Sequence, residues 1–217
     1  MRKLTVVEFM SLDGVIQGPG GPEEDPSDGF RYGGWQAPYD DEEIGRSVLE
    51  LFSQPFELLL GRRTYDIWAA YWPSIGLAAP EHPIAGPFNR VAKHVATHRP
   101  DSLQWQNSHA LQGDLVEAVR GLKHQADAPL LTHGSGDLVR QLLAAGLVDD
   151  LRLMIYPVML GRGKRLFGEN EAPSSFALTQ WKVTPSGVIL AQYERRGEVR
   201  TGAFGEEKPT PTRPSMA

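Results

Sequence analysis

Short apolar runs alternate with longer amphipathic stretches through most of this chain, and that alternation limits the possible folds more than any other feature. Residues 4–10, 56–60, 91–97 and 129–132 are short and rich in Leu, Val and other apolar side chains, the pattern of buried strands. Between them lie stretches with helical spacing. Ile44, Val48, Leu51 and Phe52 fall on one face of residues 40–54, which Pro55 ends. Residues 63–71 give a second helix. Leu115, Ala118, Val119 and Leu122 mark a third over 114–125, and 137–145 a fourth, with Gly146 where a C-terminal cap belongs. Residues 103–106 read as a further short strand. Residues 151–160 read as a strand interrupted by Pro157, which places part of it at an edge or bulge. Two last strands, 176–183 and 188–195, flank the turn sequence Thr184-Pro185-Ser186-Gly187. The implied fold is α/β: a mainly parallel, twisted sheet with helices on both faces and a C-terminal antiparallel hairpin.

The 217 residues suffice for one sizeable core. We expect a single domain over 1–196, followed by a flexible polar tail over 197–217, where apolar side chains are too few to fold alone. Residues 17–38, rich in Gly and Pro with an acidic patch, read as a long surface loop. The net charge of −5 argues against the broad basic footprint of a nucleic-acid binder. The absence of cysteine excludes disulfides, thiolate metal sites and cysteine nucleophiles. Six histidines show no metal-ligand spacing, so no metal is expected. No apolar run approaches the ~20 residues that span a bilayer, and the first ten residues mix charge and apolar character too soon for a signal peptide. A soluble, cytoplasmic protein is the expectation.

Three strand-to-helix junctions carry the chemistry. In the first, Gly61 lets a ligand approach the backbone. The helix start behind it offers free N–H groups to phosphate, with Arg62, Arg63 and Thr64 adding charge and a hydroxyl. In the second, Thr97, His98 and Arg99 could together grip the 2′-phosphate that separates NADP from NAD. In the third, Gly134, Ser135 and Gly136 permit a tight turn with a pyrophosphate against the helix that begins at Asp137 and Leu138. A plain turn, a solvated polar loop and an N-cap at Asp137 are the competing readings of the three. Their coincidence at the carboxyl ends of parallel strands favours a ligand.

These motifs, Gly61-Arg62-Arg63-Thr64-Tyr65, the Gly134 turn, and residues 147–151 through Pro157 to Gly161-Arg162-Gly163, resemble the dihydrofolate reductase-like superfamily. Ser11-Leu12-Asp13-Gly14 resembles its RibD C-terminal branch, the reductase domain of bacterial riboflavin biosynthesis. The resemblance covers roughly residues 3–195. It implies NADPH as cofactor at the three junctions, and a homodimer, for which residues 151–160 are apolar enough to be buried on both faces. The chain departs from many relatives in carrying Ser135 after Gly134, and it has no zinc-deaminase signature.

The implied activity is an NADPH-dependent reductase passing hydride to a small, flat heterocyclic or conjugated acceptor, pteridine- or pyrimidine-like. The protein would supply orientation and a proton. An NADP(H)-binding redox sensor without turnover is the alternative, distinguished by whether NADPH is consumed. Two carboxylates are candidates for the proton. Asp40 stands in Trp35-x-x-Pro38-x-Asp40, similar to the substrate-carboxylate motif of dihydrofolate reductases, although Asp40 with Glu43 also reads as a capping box. Asp13 follows the first strand and also reads as an ordinary turn residue. Trp35, Tyr65 and Trp68 are candidates to line a pocket for a flat ring.

Overall fold

A computed structural model describes residues 1–125, 128–168 and 172–204. Its order is β1 (Leu4–Ser11), α1 (Glu42–Ser53), β2 (Glu57–Gly61), α2 (Arg62–Ala78), α3 (Ala85–Arg90), β3 (Lys93–Ala96), β4 (Ser108–Ala110), α4 (Leu115–His124), β5 (Leu130–His133), α5 (Gly136–Ala144), β6 (Asp150–Tyr156), β7 (Ser175–Val183) and β8 (Ile189–Gly197). One sheet holds all eight strands in the order β4-β3-β2-β5-β1-β6-β8-β7. Every pairing from β4 to β6 is parallel, and the β7–β8 hairpin adds the antiparallel edge. Most of the expected tail, residues 205–217, lies outside the described residues.

The sheet is covered on both faces because its strands are apolar on both. Leu4, Val6 and Leu130 pack against Val119 and Leu122 of α4 and Leu138, Val139 and Leu142 of α5. Val7, Leu58, Leu60 and Leu131 face the other way, against Leu51 and Phe52 of α1, Tyr65 of α2 and Phe88 of α3. A third cluster, Val15, Phe30, Trp35, Ile44, Met154 and Tyr156, seats the 17–38 segment on the end of the sheet.

Three local expectations are corrected by tertiary contacts, and one helix, α3, was not expected. The strand expected at 103–106 is absent, and β4 begins at Ser108. Its backbone is bound elsewhere: the Trp105 N–H donates to the Tyr65 hydroxyl at 2.9 Å, and Lys93 Nζ donates to the Gln106 carbonyl at 3.0 Å. α2 runs seven residues past Tyr71 despite Pro73, because its far half is tied to α3, where Asn89 Nδ2 donates to the Trp72 carbonyl at 3.2 Å. α3 itself carried no readable periodicity in its six residues. β6 stops at Tyr156, just before Pro157, and lies inside the sheet between β1 and β8 rather than at an edge. Its apolar side chains are therefore used within the chain, with Leu151 and Leu153 in one core cluster and Met154 and Tyr156 in another.

Candidate functional site

A cavity of about 1420 Å³ opens at the carboxyl ends of β1, β2, β5 and β6. That exceeds the volume usual for one drug-sized ligand, so two molecules could lie side by side. Two of the three expected junctions line it, through residues 61–64 and 134–138. They are stitched together. The Gly61 N–H donates to Ser135 Oγ at 2.9 Å, and the Ser135 N–H donates to Thr64 Oγ1 at 2.9 Å. Ser135 sits at φ 56°, a left-handed conformation that a non-glycine residue adopts at a cost its hydrogen bonds offset.

The helix starts at these junctions differ from those of α1 and α4. α1 and α4 are capped by the Asp41 and Asp114 carboxylates, whereas α2 and α5, preceded by Gly61 and Ser135, have no side-chain cap. Their first N–H groups and positive dipole ends are therefore left to a ligand or water, a suitable place for phosphate. Asp137, which competed as a cap, instead pairs with Arg140.

Both arginines are committed to partners within the chain. Arg62 donates to Thr97 Oγ1, to the Arg99 carbonyl and to Ser102 Oγ at 3.3, 3.1 and 2.6 Å, and Asp66 accepts from its Nε at 2.8 Å. It fastens the exit of β3 to the start of α2. Thr97, His98 and Arg99 do not line the cavity, but Arg62, which does, reaches Thr97 and the Arg99 carbonyl. Arg63 is paired with Asp25, which also accepts from Lys164 Nζ at 2.8 Å. Burial opposes the charge on Asp25, yet bonds from Lys164, Ser27 and Arg63 overcome it and hold the carboxyl well below its usual range. The acidic patch of the 17–38 segment thus does not simply lie on the surface. Asp25 is buried, and residues 17–25 form one wall of the cavity.

Asp40 lines the cavity, and its carboxylate has no hydrogen-bond partner among the described residues. The expectation that Asp40 caps α1 is corrected: Asp41 caps it, accepting from the N–H groups of Glu43 and Ile44 at 3.0 Å. Asp41 also accepts from Ser186 N and Oγ, so Asp40 is left for the cavity. Tyr156 lines the cavity too, and burial, then the charges of Asp40 and Asp41, push its hydroxyl well above the usual range, keeping it neutral.

Three other expected site residues are placed elsewhere. Asp13 is tied into the loop after β6, accepting from the Leu160 and Gly161 N–H groups at 3.1 and 2.8 Å and from Ser11 Oγ at 2.7 Å, outside the cavity. Burial works to raise its pKa, but these bonds prevail and lower it to about 2, so it has no proton to give near neutrality. A carboxyl depressed from 3.8 stabilises the fold above pH ~4, and this contribution fades as pH falls towards ~2. Asp13→Asn should therefore unfold at lower urea than the parent at pH ~6, the gap narrowing between pH ~4 and ~2. A gap unchanged by acid would refute the assignment. Tyr65 is 2% exposed, its ring under α2 and its hydroxyl used by Trp105, so it lines no part of the cavity. Trp35 lies just behind the wall, donating to the Gln17 carbonyl at 2.8 Å and packing edge-on to Tyr156 at 5.2 Å. Trp68 does line the cavity, stacked on Phe88 at 4.7 Å.

The sequence reading missed Glu8, Phe9 and His133 as site residues. All three line the cavity. Glu8 was visible only as the charge interrupting an apolar strand, and His133 as the residue before the Gly134 turn. Among the described residues no group of His, Asp and Glu could hold a metal ion, and no helix is long and apolar enough to cross a membrane.

The sheet order and the C-terminal hairpin give this α/β protein a dihydrofolate reductase-like fold. The chain belongs to the RibD C-terminal domain family, which matches residues 2–190. The uncharacterized protein YyaP of Bacillus subtilis (strain 168) is 24% identical over 200 residues, 90% of this chain and 96% of that one. A Shewanella sp. PV-4 protein ascribed to riboflavin biosynthesis superposes with a TM-score of 0.59 at 21% identity, covering 90% of this chain and 99% of its own. Dihydrofolate reductase from Enterococcus faecalis, complexed with NADP(H), gives 0.56 at 16% identity, covering 89% and 96%.

Proposed function

We propose that this protein is an NADPH-dependent reductase of a small, flat, pteridine- or pyrimidine-like acceptor. The observation that carries the reading is the pair of uncapped helix starts, α2 and α5, facing one large cavity that also holds an unpartnered carboxylate, Asp40. The helix starts fit the phosphates of a dinucleotide, and the Gly134 turn lets its backbone come close. Thr97, His98 and Arg99, outside the cavity lining and tied to it through the bonds of Arg62 to Thr97 and Arg99, are the groups we assign to a 2′-phosphate. Bound NADPH supplies the hydride. The protein's part is to hold the acceptor between the Trp68 wall and Asp40, whose carboxylate can accept the N–H groups of a heterocycle's edge. A protein that bound NADP(H) only as a sensor would have no need of that second, carboxylate-bearing half of the cavity. That the enzyme works in the cytoplasm belongs to the same reading.

Calorimetric titration with NADPH and NADH tests it. NADPH should bind about tenfold or more tightly, since one charge-assisted hydrogen bond to the 2′-phosphate is worth ~1.5–3 kcal/mol. Arg99→Ala should narrow the difference. Equal affinities in the parent protein would refute the cofactor assignment. A homodimer belongs to the same proposal, through the outer hairpin rather than β6: Trp181, Val183 and Ile189 share one face there and are exposed. Light scattering on the same samples checks it, and a monomer mass would dismiss it.

A further inference from the structure

Glu8 is the one acidic side chain on β1, and it is almost wholly enclosed, at 1% exposure. Such a position is costly for a carboxylate, because burial removes its hydration. Its compensation is incomplete. Oε2 lies 3.7 Å from His133 Nδ1, a few tenths of an ångström beyond a hydrogen bond, and Oε1 has no hydrogen-bond partner. β1 and β5 pair in parallel with Val7 opposite His133, so Glu8 lies one residue further on, beside the turn at Gly134. His133 is not so enclosed: its side chain keeps 14% exposure, lines the cavity, and is held edge-on by Phe9 at 4.8 Å and Trp68 at 5.6 Å. Both side chains border the cavity where the acceptor would lie, Glu8 almost closed off and His133 more open to it.

We propose that Glu8 and His133 form a proton relay that delivers to the acceptor the proton accompanying hydride transfer, with His133 the catalytic residue and Glu8 the buried store behind it. The inference rests on the reductase reading. In the resting pair the Glu8 carboxyl carries a proton directed at Nδ1, and the neutral imidazole carries its own on Nε2. As hydride from the reduced nicotinamide reaches the acceptor carbon, the electron pair left on the neighbouring atom takes the proton from Nε2. The Nδ1 atom takes the proton of Glu8 in the same motion. The acceptor has gained one hydride and one proton, the imidazole stays neutral with its proton on the other nitrogen, and Glu8 is left as carboxylate. A solvent proton taken up at Nε2 from the cavity mouth, with the Nδ1 proton passing back to Glu8, restores the resting pair before the next turnover. Burial, which pushes the Glu8 carboxyl above its ordinary range against the pull of His133 and the Gly134 N–H, supports this protonation order. Contacts that are long without substrate commonly tighten when it binds.

The surrounding charges do not compete for this role. Asp40, Arg62, Arg63, His82 and Tyr156 line the same cavity, and none has a hydrogen bond or ion pair to Glu8 or His133 among the described contacts. Asp137 and Arg140 on α5 pair with each other. The relay also gives Asp40 a separate task, since an acceptor held by one carboxylate can be protonated by another group.

The first two measurements need no acceptor. The infrared spectrum of the parent protein at neutral pH should contain a protonated-carboxyl band that is lost in Glu8→Gln and kept in Asp40→Asn. Nitrogen NMR of histidine-labelled protein, with His133 assigned through His133→Gln, should place its proton on Nε2 in the parent. Gln donates to Nδ1 much as a protonated Glu does, so the fold and this tautomer should survive Glu8→Gln, with NADPH affinity within about twofold of the parent. Turnover with dihydropterin as acceptor should fall about 10²-fold in Glu8→Gln. If Glu8→Gln removes no carboxyl band, Glu8 is ionised at rest and the relay is overturned, even if NADPH binds as expected. If the band is lost as expected but NADPH does not bind the parent protein, the reductase reading fails instead. Full turnover in Glu8→Gln would also overturn the relay.

Discussion

Gly134→Ala is expected to abolish detectable nucleotide binding and to lower the stability of the fold by ~2–4 kcal/mol. Gly134 has φ +60°, a region that costs an L-residue ~1–2 kcal/mol. An added Cβ would lie 2.9 Å from Thr64 Oγ1 and 3.4 Å from Thr64 Cγ2. To relieve this, Thr64 must move, and Thr64 Oγ1 is the acceptor for both the N–H and the hydroxyl of Ser135. Each lost bond costs ~0.5–1.5 kcal/mol. The two helix starts are joined at this point, so the shift would carry one away from the other and spoil the shared phosphate site. Gly113→Ala separates strain from site. Gly113 has φ +73° with nothing within 4 Å of an added Cβ, so its substitution should cost strain alone and leave nucleotide binding intact. Urea unfolding and calorimetric NADPH titration of the two variants decide the matter. Parent-like affinity in Gly134→Ala would mean that the β5–α5 turn is not the phosphate site.

Asp40→Asn is expected to reduce kcat/KM by about 10²-fold or more with dihydropterin as acceptor, leaving the fold and NADPH affinity unchanged. One or two charge-assisted hydrogen bonds from the acceptor's N–H edge would be lost, each worth ~1.5–3 kcal/mol, or about tenfold or more in rate. The fold should not suffer, because Asp41 and not Asp40 caps α1. Asp41→Asn should do the reverse. It keeps a capping side chain but loses the charge that holds Ser186 at 2.7 Å, so stability should fall with little change in acceptor use. If Asp40→Asn kept full activity and Asp41→Asn lost it, the assignments of these neighbours would have to be exchanged.

The confusion of Asp40 with Asp41 shows where one-dimensional reading stops. Either aspartate can cap a helix beginning near residue 42, and spacing to Glu43 cannot choose between them. The choice is made by Ser186, in the turn between β7 and β8, which bonds Asp41 and so fixes which side chain turns inward. Tyr65 and Trp68 present the same problem one helical turn apart. Both lie on the first part of α2, but the Trp105 N–H takes the Tyr65 hydroxyl into the core, while Trp68, stacked on Phe88, lines the cavity with it. Asp13 was legible as a turn residue, yet its partners at Leu160 and Gly161 come from the far side of the chain.

What the sequence determined by itself was the architecture. Periodicity, punctuation by Gly and Pro, and apolar strands on both sides of the fold are local signals. They suffice for a parallel sheet with helices on both faces, a terminal hairpin, and glycine-bearing junctions after β2 and β5. Tertiary structure alone decided which polar groups face the cavity. Glu8 reads in sequence as a flaw in a strand, because a buried charge has no local signature. Only the pairing of β1 with β5 sets it behind His133. Arg63 and Asp25 read as an exposed cation and a loop acid, and only the return of the 17–38 segment across α2 makes them partners. The physical reason is the same in each case. Backbone conformation follows from neighbours along the chain, whereas the environment of a titratable side chain is set by groups that folding brings from elsewhere, here from as far as residue 186.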